Sequence, residues 1–157
     1  MKLDQKDARI LNALQKDARL TGEDLGPAVH LSAAACNRRI KRLRDAGVIE
    51  AEVAIISPER TGFGFTLTVL VSLKRDHAAD AVERLKAGFR DRPEIVSVAS
   101  VAGRWDFVLN VVARGPEGYE RMMRELREAH PCLNGSEALV VLDRVKTGLA
   151  IPVEPQG

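Results

Sequence analysis

The sequence predicts an α+β chain: a helical N-terminal unit followed by a β-α-β-β-α-β unit. Three observations predict it. Within residues 1–50 apolar residues recur at helical spacing, behind residues suited to capping helices. From Phe65 the pattern switches to strict alternation in "FTLTVLVSL". Beyond that strand, two amphipathic helical stretches are interleaved with three more strand-like runs.

The elements follow in order. Leu3, Ile10, Leu11 and Leu14 share one face of a first helix, with Asp4 placed to cap it. "DARLTGEDL" breaks that helix, and Thr21 suits the N-cap of a short second one carrying Leu25, Ala28 and Val29. Gly26-Pro27 inside it would cost a few kcal/mol in a helix interior. Pro27 is therefore expected in a first turn, in a short or bent helix. A third helix starts after Ser32, runs to about Ala46 and stops at Gly47. "VIEAEVAII" then reads as a strand closed by Ser57-Pro58. Three helices and a strand in this order predict a winged helix-turn-helix over residues 1–50, with 51–62 as a linker.

In the second unit, Phe65, Leu67, Val69, Val71 and Leu73 point to one face of the first strand. A helix carries Ala78, Val82, Leu85 and Phe89 on one side. "EIVSVASVA" and "WDFVLNVVA" form two strands joined by a tight turn at Gly103-Arg104, Tyr119, Met122, Met123 and Leu126 line a second helix, and "ALVVLDRVK" is the expected last strand. The order is that of a ferredoxin-like fold over residues 63–152, leaving 153–157 as a tail.

Composition narrows the function. The net charge is only +2, but residues 1–50 hold ten Lys/Arg against seven Asp/Glu, and the remainder fourteen against fifteen. The positive excess sits at the front. Two distant cysteines, Cys36 and Cys132, fit no metal spacing and suit a reducing, cytoplasmic setting. No apolar run approaches the roughly 20 residues needed to span a bilayer, so no membrane association is expected.

The third helix concentrates the charge: Arg38, Arg39, Lys41, Arg42 and Arg44 in "LSAAACNRRIKRLRDAGVI". Cys36, Ile40, Leu43 and Ala33 fall in an arc of about 80° that faces the core. Opposite lie Ala34, Arg38 and Lys41, flanked by Asn37 and Arg42. Such a helix suits the DNA major groove, with its N-terminal residues at base edges. Ser32, Ala34 and Ala35 permit close approach there, and Asn37 and Arg38 carry donors and acceptors for adenine or guanine. Arg39, Lys41 and Arg42 would reach phosphates. The alternative is a solvated charged face, but among residues 32–46 only Asp45 offers a counter-charge.

Four segments in order, "LDQKDARILNALQKDAR", "LSAAACNRRIKRLRDAGVIE", "VAGRWDFVLNVV" and "DRVKTGLAIP", resemble the Lrp/AsnC, or feast/famine, family of transcriptional regulators. The resemblance implies a DNA-binding winged helix-turn-helix and an effector-sensing domain. It implies homodimers formed by sheet pairing and assembling to octamers, and an amino acid or related metabolite as effector. By the same resemblance the effector meets the turn Ala102, Gly103, Arg104, Trp105 and Asp106, with Ser136 nearby. Asp106 would hold its amino group and the backbone around Ala102 and Gly103 its carboxylate. Read as residues alone, Trp105 is core or interface filler or a pocket wall, and Asp106 a turn cap or a ligand contact. Ala102 stands where the family often has a hydroxyl residue, and Ala138 where it often has Thr.

No cofactor, metal or catalytic constellation is expected. His30, His77 and His130 share no ligand spacing. "GFGF" precedes a strand rather than opening a helix, so it is no dinucleotide fingerprint. Siroheme decarboxylases resemble the same two-domain build but carry histidines near the sheet turns, and "GRWDF" has none. An adaptor without DNA binding is the other alternative, and the basic helix speaks against it.

Overall fold

A computed structural model of the chain describes residues 1–156. It divides into two compact units. One comprises Met1–Ala54 together with the chain from Val145 onward, the other Ile55–Arg144.

The first unit holds α1 (Gln5–Leu14), α2 (Gly22–Val29) and α3 (Ala33–Asp45). All three expected caps are present. Asp4 and Asp7 form a reciprocal capping box on α1, Thr21 and Asp24 one on α2, and the Ser32 hydroxyl accepts from the Ala35 N–H. Gly47 ends α3 with φ +68°, which a side chain would strain. Ile10, Leu11, Leu25, Val29, Cys36, Ile40 and Leu43 form the core.

Pro27 lies deeper in α2 than expected, at its sixth position, where it forfeits a bond to the Glu23 carbonyl. The helix tolerates this because close packing on the third helix holds it. A Cβ at Gly22 would lie 2.5 Å from the Ala33 carbonyl, and one at Gly26 2.8 Å from that of Leu31. The glycines thus bring α2 against the start of α3, and Leu25 and Val29 are buried beneath.

Residues 48–56 do not form the expected strand. The N–H groups of Val48 and Ile49 both return to the Leu43 carbonyl. Beyond them the chain has no regular secondary structure, with Val53, Ile55 and Ile56 exposed. A strand needs a ladder partner, and none of the described residues supplies one.

The C-terminal segment, expected to belong to the second domain as far as residue 152, rejoins the first unit from Val145. Asn12 bonds the peptide of Val153 in both directions (Nδ2 to O 2.8 Å, N to Oδ1 3.3 Å). Gln15 does the same for Ile151 at 2.9 and 2.8 Å, and the Gln156 N–H donates to the Leu3 carbonyl. Asn12 on α1 and Gln15 at its C-cap, three residues apart, thus hold alternate residues of the C-terminal segment. Val153 packs on the core between them.

The second unit runs β1 (Phe65–Leu73), α4 (Ala81–Arg90), β2 (Ile95–Ser100), β3 (Phe107–Ala113), α5 (Pro116–Ala129) and β4 (Leu133–Val140). The sheet is antiparallel throughout, in order β2-β3-β1-β4. This is the expected ferredoxin-like arrangement. Leu67, Val69, Val71, Leu109 and Val111 face Leu85, Phe89, Met122, Met123 and Leu126 of the two helices. Phe89 and Phe107 meet edge to face at 5.4 Å. Ala78, expected on the first of these helices, lies ahead of it.

β4 is displaced from the expected 138–146. It starts at Leu133, runs through Asn134-Gly135 and ends at Val140, because β1 offers its ladder only from Leu73 back to Phe65. Asn-Gly ordinarily signals a turn. Here a register shift at Ser72/Leu73 absorbs it.

Candidate functional site

Two sites emerge, one in each unit. In the first, α3 presents its N-terminal and outer face: Ser32, Ala34, Asn37, Arg38, Lys41 and Arg42 are exposed, and Ala35 and Arg39 partly so. Asn37 also braces the helix pair, since its carboxamide lies where a Gly22 Cβ would stand.

The five basic residues are not equivalent. Arg39 Nη1 donates to Asp4 Oδ2 at 2.7 Å and Asp7 Oδ1 at 2.8 Å, and Arg42 Nη2 to both Asp7 oxygens at 2.7 Å. Asp7 is 1% exposed. The Asp7 N–H, then the Arg39 guanidinium, hold the Asp4 carboxyl below its ordinary range, and Asp4, then Asp7, push Arg39 up. Lys41 pairs with Asp45 at 2.7 Å and Arg44 with Glu52 at 2.6 Å, both at the surface. Arg38 alone among these five has no acidic partner among the described residues.

Arg39, Lys41 and Arg42, all expected at phosphates, thus differ in the acids they already hold. Two of the three turn back onto α1. Asp4 was legible only as a helix cap and Asp7 not at all, because the contact to α3 spans more than thirty residues.

In the second unit the β2–β3 turn forms an open cavity of about 450 Å³. Gly103, Arg104, Trp105 and Asp106 line it, together with Ser72, Leu73, Arg75 and Asn134. Gly103 makes the turn at φ +143°. Asp106 ties the turn to β1: its N–H donates to the Val71 carbonyl at 2.9 Å, and its Oδ2 accepts the Leu73 N–H at 2.7 Å. Its carbonyl accepts from Val101. Of the two roles open to Asp106, the structure therefore displays the turn cap. Its Oδ1 keeps no protein donor among the described residues. Arg104 lies over the half-buried Trp105 ring, 5.2 Å from its centroid.

Ser72, Leu73, Arg75 and Asn134 were missed. They come from the end of β1 and the start of β4, the strand whose expected position was wrong. Ala102 is exposed just before the turn and Ser136 stands elsewhere. The Ser136 hydroxyl accepts from Arg127 Nη2 at 2.8 Å, so it belongs with α5 and does not line this cavity. Among the described residues no group of three or more His, Cys, Asp or Glu could hold a metal. No helix is long and apolar enough to cross a membrane. Cys36 and Cys132 are buried free thiols.

Comparison with known proteins places both sites in context. Residues 3–50 match the family model for winged helix-turn-helix DNA-binding, and residues 66–151 that for the Lrp/AsnC ligand binding domain. The chain is 45% identical over 154 residues to the HTH-type transcriptional regulator y4tD of Sinorhizobium fredii, covering 98% of this chain and 90% of that protein. It is 28% identical to the DNA-binding transcriptional activator DecR of Escherichia coli, covering 97% and 99%. A transcriptional regulator of Neisseria meningitidis, solved as an L-Met complex, superposes with a TM-score of 0.88 at 31% identity, covering 96% of each chain.

Proposed function

The chain belongs to the Lrp/AsnC family of DNA-binding transcriptional regulators, and from that premise we propose how its two sites divide the work. α3 reads operator DNA, and an amino acid or related metabolite in the β2–β3 cavity sets when it does so. The observation that carries the DNA reading is the exposed face of Ser32, Ala34, Asn37, Arg38 and Lys41, with Ala35 partly exposed beside them, at whose centre Arg38 has no acidic partner among the described residues. Arg38 and Asn37 carry the donors that base edges require, and Lys41 is placed for a phosphate.

The chemistry of the cavity supports an amino-acid effector. Arg75 and Arg104 supply charge for a carboxylate, Asp106 Oδ1 is an acceptor for an ammonium, and Trp105 and Leu73 offer apolar wall. The L-Met complex of the Neisseria relative supports the same ligand class. Gly103 and Ala102 would contribute backbone groups, and Ser136 has no part in this pocket.

The working unit is a homodimer. The helices cover only one sheet face; the other carries Leu70, Val108, Val112 and Leu139, with Thr68, Asn110 and Ser97 joined in a hydrogen-bonded chain. A second copy is the natural cover, and the unpaired residues 48–56 offer a further edge for it. We extend the proposal to the assembly of such dimers to an octamer. The protein acts in the cytoplasm as a regulator and not as an enzyme.

A thermal-shift screen of the twenty amino acids tests the effector assignment. A ligand at 100 times its Kd should stabilise the protein by about 2.7 kcal/mol. The same ligand should change operator affinity by about 5- to 150-fold, the usual range of allosteric coupling. A ligand that shifts melting but leaves DNA affinity unchanged would refute the coupling.

A further inference from the structure

We infer that Asp7 is a specificity-determining residue: a buried anion that withholds Arg42 and Arg39 from DNA phosphates, so that α3 meets DNA through Arg38 and Lys41. This rests on the reading of α3 as the DNA-contacting helix.

The geometry separates two kinds of pairing on one helix. Lys41 and Asp45 are 75% and 62% exposed, within one turn of α3. Water solvates either partner, so exchanging Asp45 for a phosphate costs little. Arg42 is held by an acid that is 1% exposed and that has both oxygens committed. Moving Arg42 to a phosphate would leave Asp7 with Arg39 alone, in a place water does not reach. An uncompensated buried charge is far more costly than a screened surface contact is favourable. Arg39 is held more firmly still, by Asp4 and Asp7 together, and is itself only 24% exposed.

Asp4, Asp7, Arg39 and Arg42 thus form a neutral set of four. Phosphate contacts raise affinity for every sequence alike, whereas base contacts discriminate. Neutralising two of the five cations therefore lowers the sequence-independent part of binding and leaves the base-reading tip intact. Asp7 sits at the third position of α1 and already serves its capping box. One carboxylate thereby fixes the start of α1 and sets how much charge α3 shows.

The test is the slope of log Kd against log salt for a random-sequence duplex, measured on the full chain for the parent, Arg42→Gln, Asp7→Asn and the double variant. Asn keeps an oxygen for the Asp4 N–H, so the capping box survives. Arg42→Gln should leave the slope unchanged. Asp7→Asn should steepen it by about 0.9, one phosphate contact, and lower the operator-to-random affinity ratio. Adding Arg42→Gln to Asp7→Asn should return the slope to the parent value. A slope flattened by Arg42→Gln alone would overturn the inference, because Arg42 would already lie on a phosphate. An unchanged slope in folded Asp7→Asn would overturn it too. Should Asp7→Asn fail to fold, Arg42→Gln decides alone: an unchanged slope sustains the inference and a flattened one overturns it. Arg38→Ala keeps the underlying reading separate. If it too matches the parent in slope and affinity, α3 is not the DNA-contacting helix.

Discussion

The outer face of α3 and the β2–β3 turn are both rich in arginine, and they treat it in opposite ways. On α3, four of the five cations are satisfied by the protein's own acids, one pair of them by a carboxylate without access to water. At the turn, neither Arg75 nor Arg104 has an acidic partner among the described residues, and Arg104 lies over the Trp105 ring. A surface that must choose among DNA sequences gains from hiding cations that would bind any backbone. A cavity that must recognise one small charged molecule gains from keeping them available. Counting Lys and Arg along the chain does not separate these cases; the location of the acids does.

Several measurements would break or sharpen this contrast. The largest effect is expected from Leu43→Ala, which empties a fully buried site beneath α3 and should cost about 2–5 kcal/mol. Hydrogen exchange should show the loss in α1–α3 while β1 and β3 keep their protection. Equal loss in both units would show that they do not stand as separate cores.

Next comes the C-terminal segment. Asn12→Ala with Gln15→Ala removes four hydrogen bonds to residues 151 and 153, each worth about 0.5–1.5 kcal/mol. Proteolysis should then cut after residue 145 much faster, and α1 should lose stability. Unchanged cleavage would show that the segment is not held there. At the turn, Arg104→Ala should weaken or abolish the effector's thermal shift while the ligand-free stability stays within about 0.5 kcal/mol of the parent's. A full shift in that variant would remove Arg104 from the site.

The smallest effect concerns pH. His130 packs over Gly88, and burial, then Arg84 and Arg92, holds its pKa below the ordinary 6.5. A depressed value means the folded state favours the neutral ring. Its contribution is therefore complete above about pH 6.5 and is lost as pH falls through the lowered value. Melting of the second unit should decline over that interval in the parent and decline less in His130→Gln. Identical pH profiles would assign the decline to other groups.

Much of this molecule was legible in its sequence where the determinants are local. Asp4, Thr21 and Ser32 mark helix starts because a capping bond reaches three residues. β1 was legible to the residue because alternation records a sheet with one covered face. β4 was not, because Asn134-Gly135 carries a turn signal that only pairing with β1 overrides. Residues 48–56 have the alternation of a strand but no ladder partner among the described residues, and a pattern does not report its partner. At the sites, the helix face and the turn were visible. The Asp7 clamp and the β1 and β4 walls of the cavity were not, since each depends on contacts between residues distant in sequence.

The account stands most directly on Arg38. Affinities of the parent and of Arg38→Ala should be compared on a selected operator and on a random duplex of equal length at one salt concentration. Arg38→Ala should lose about 1–3 kcal/mol on the operator and much less on the random duplex, so that the preference narrows. An operator preference equal to the parent's would contradict the assignment of α3 as the helix that reads the bases.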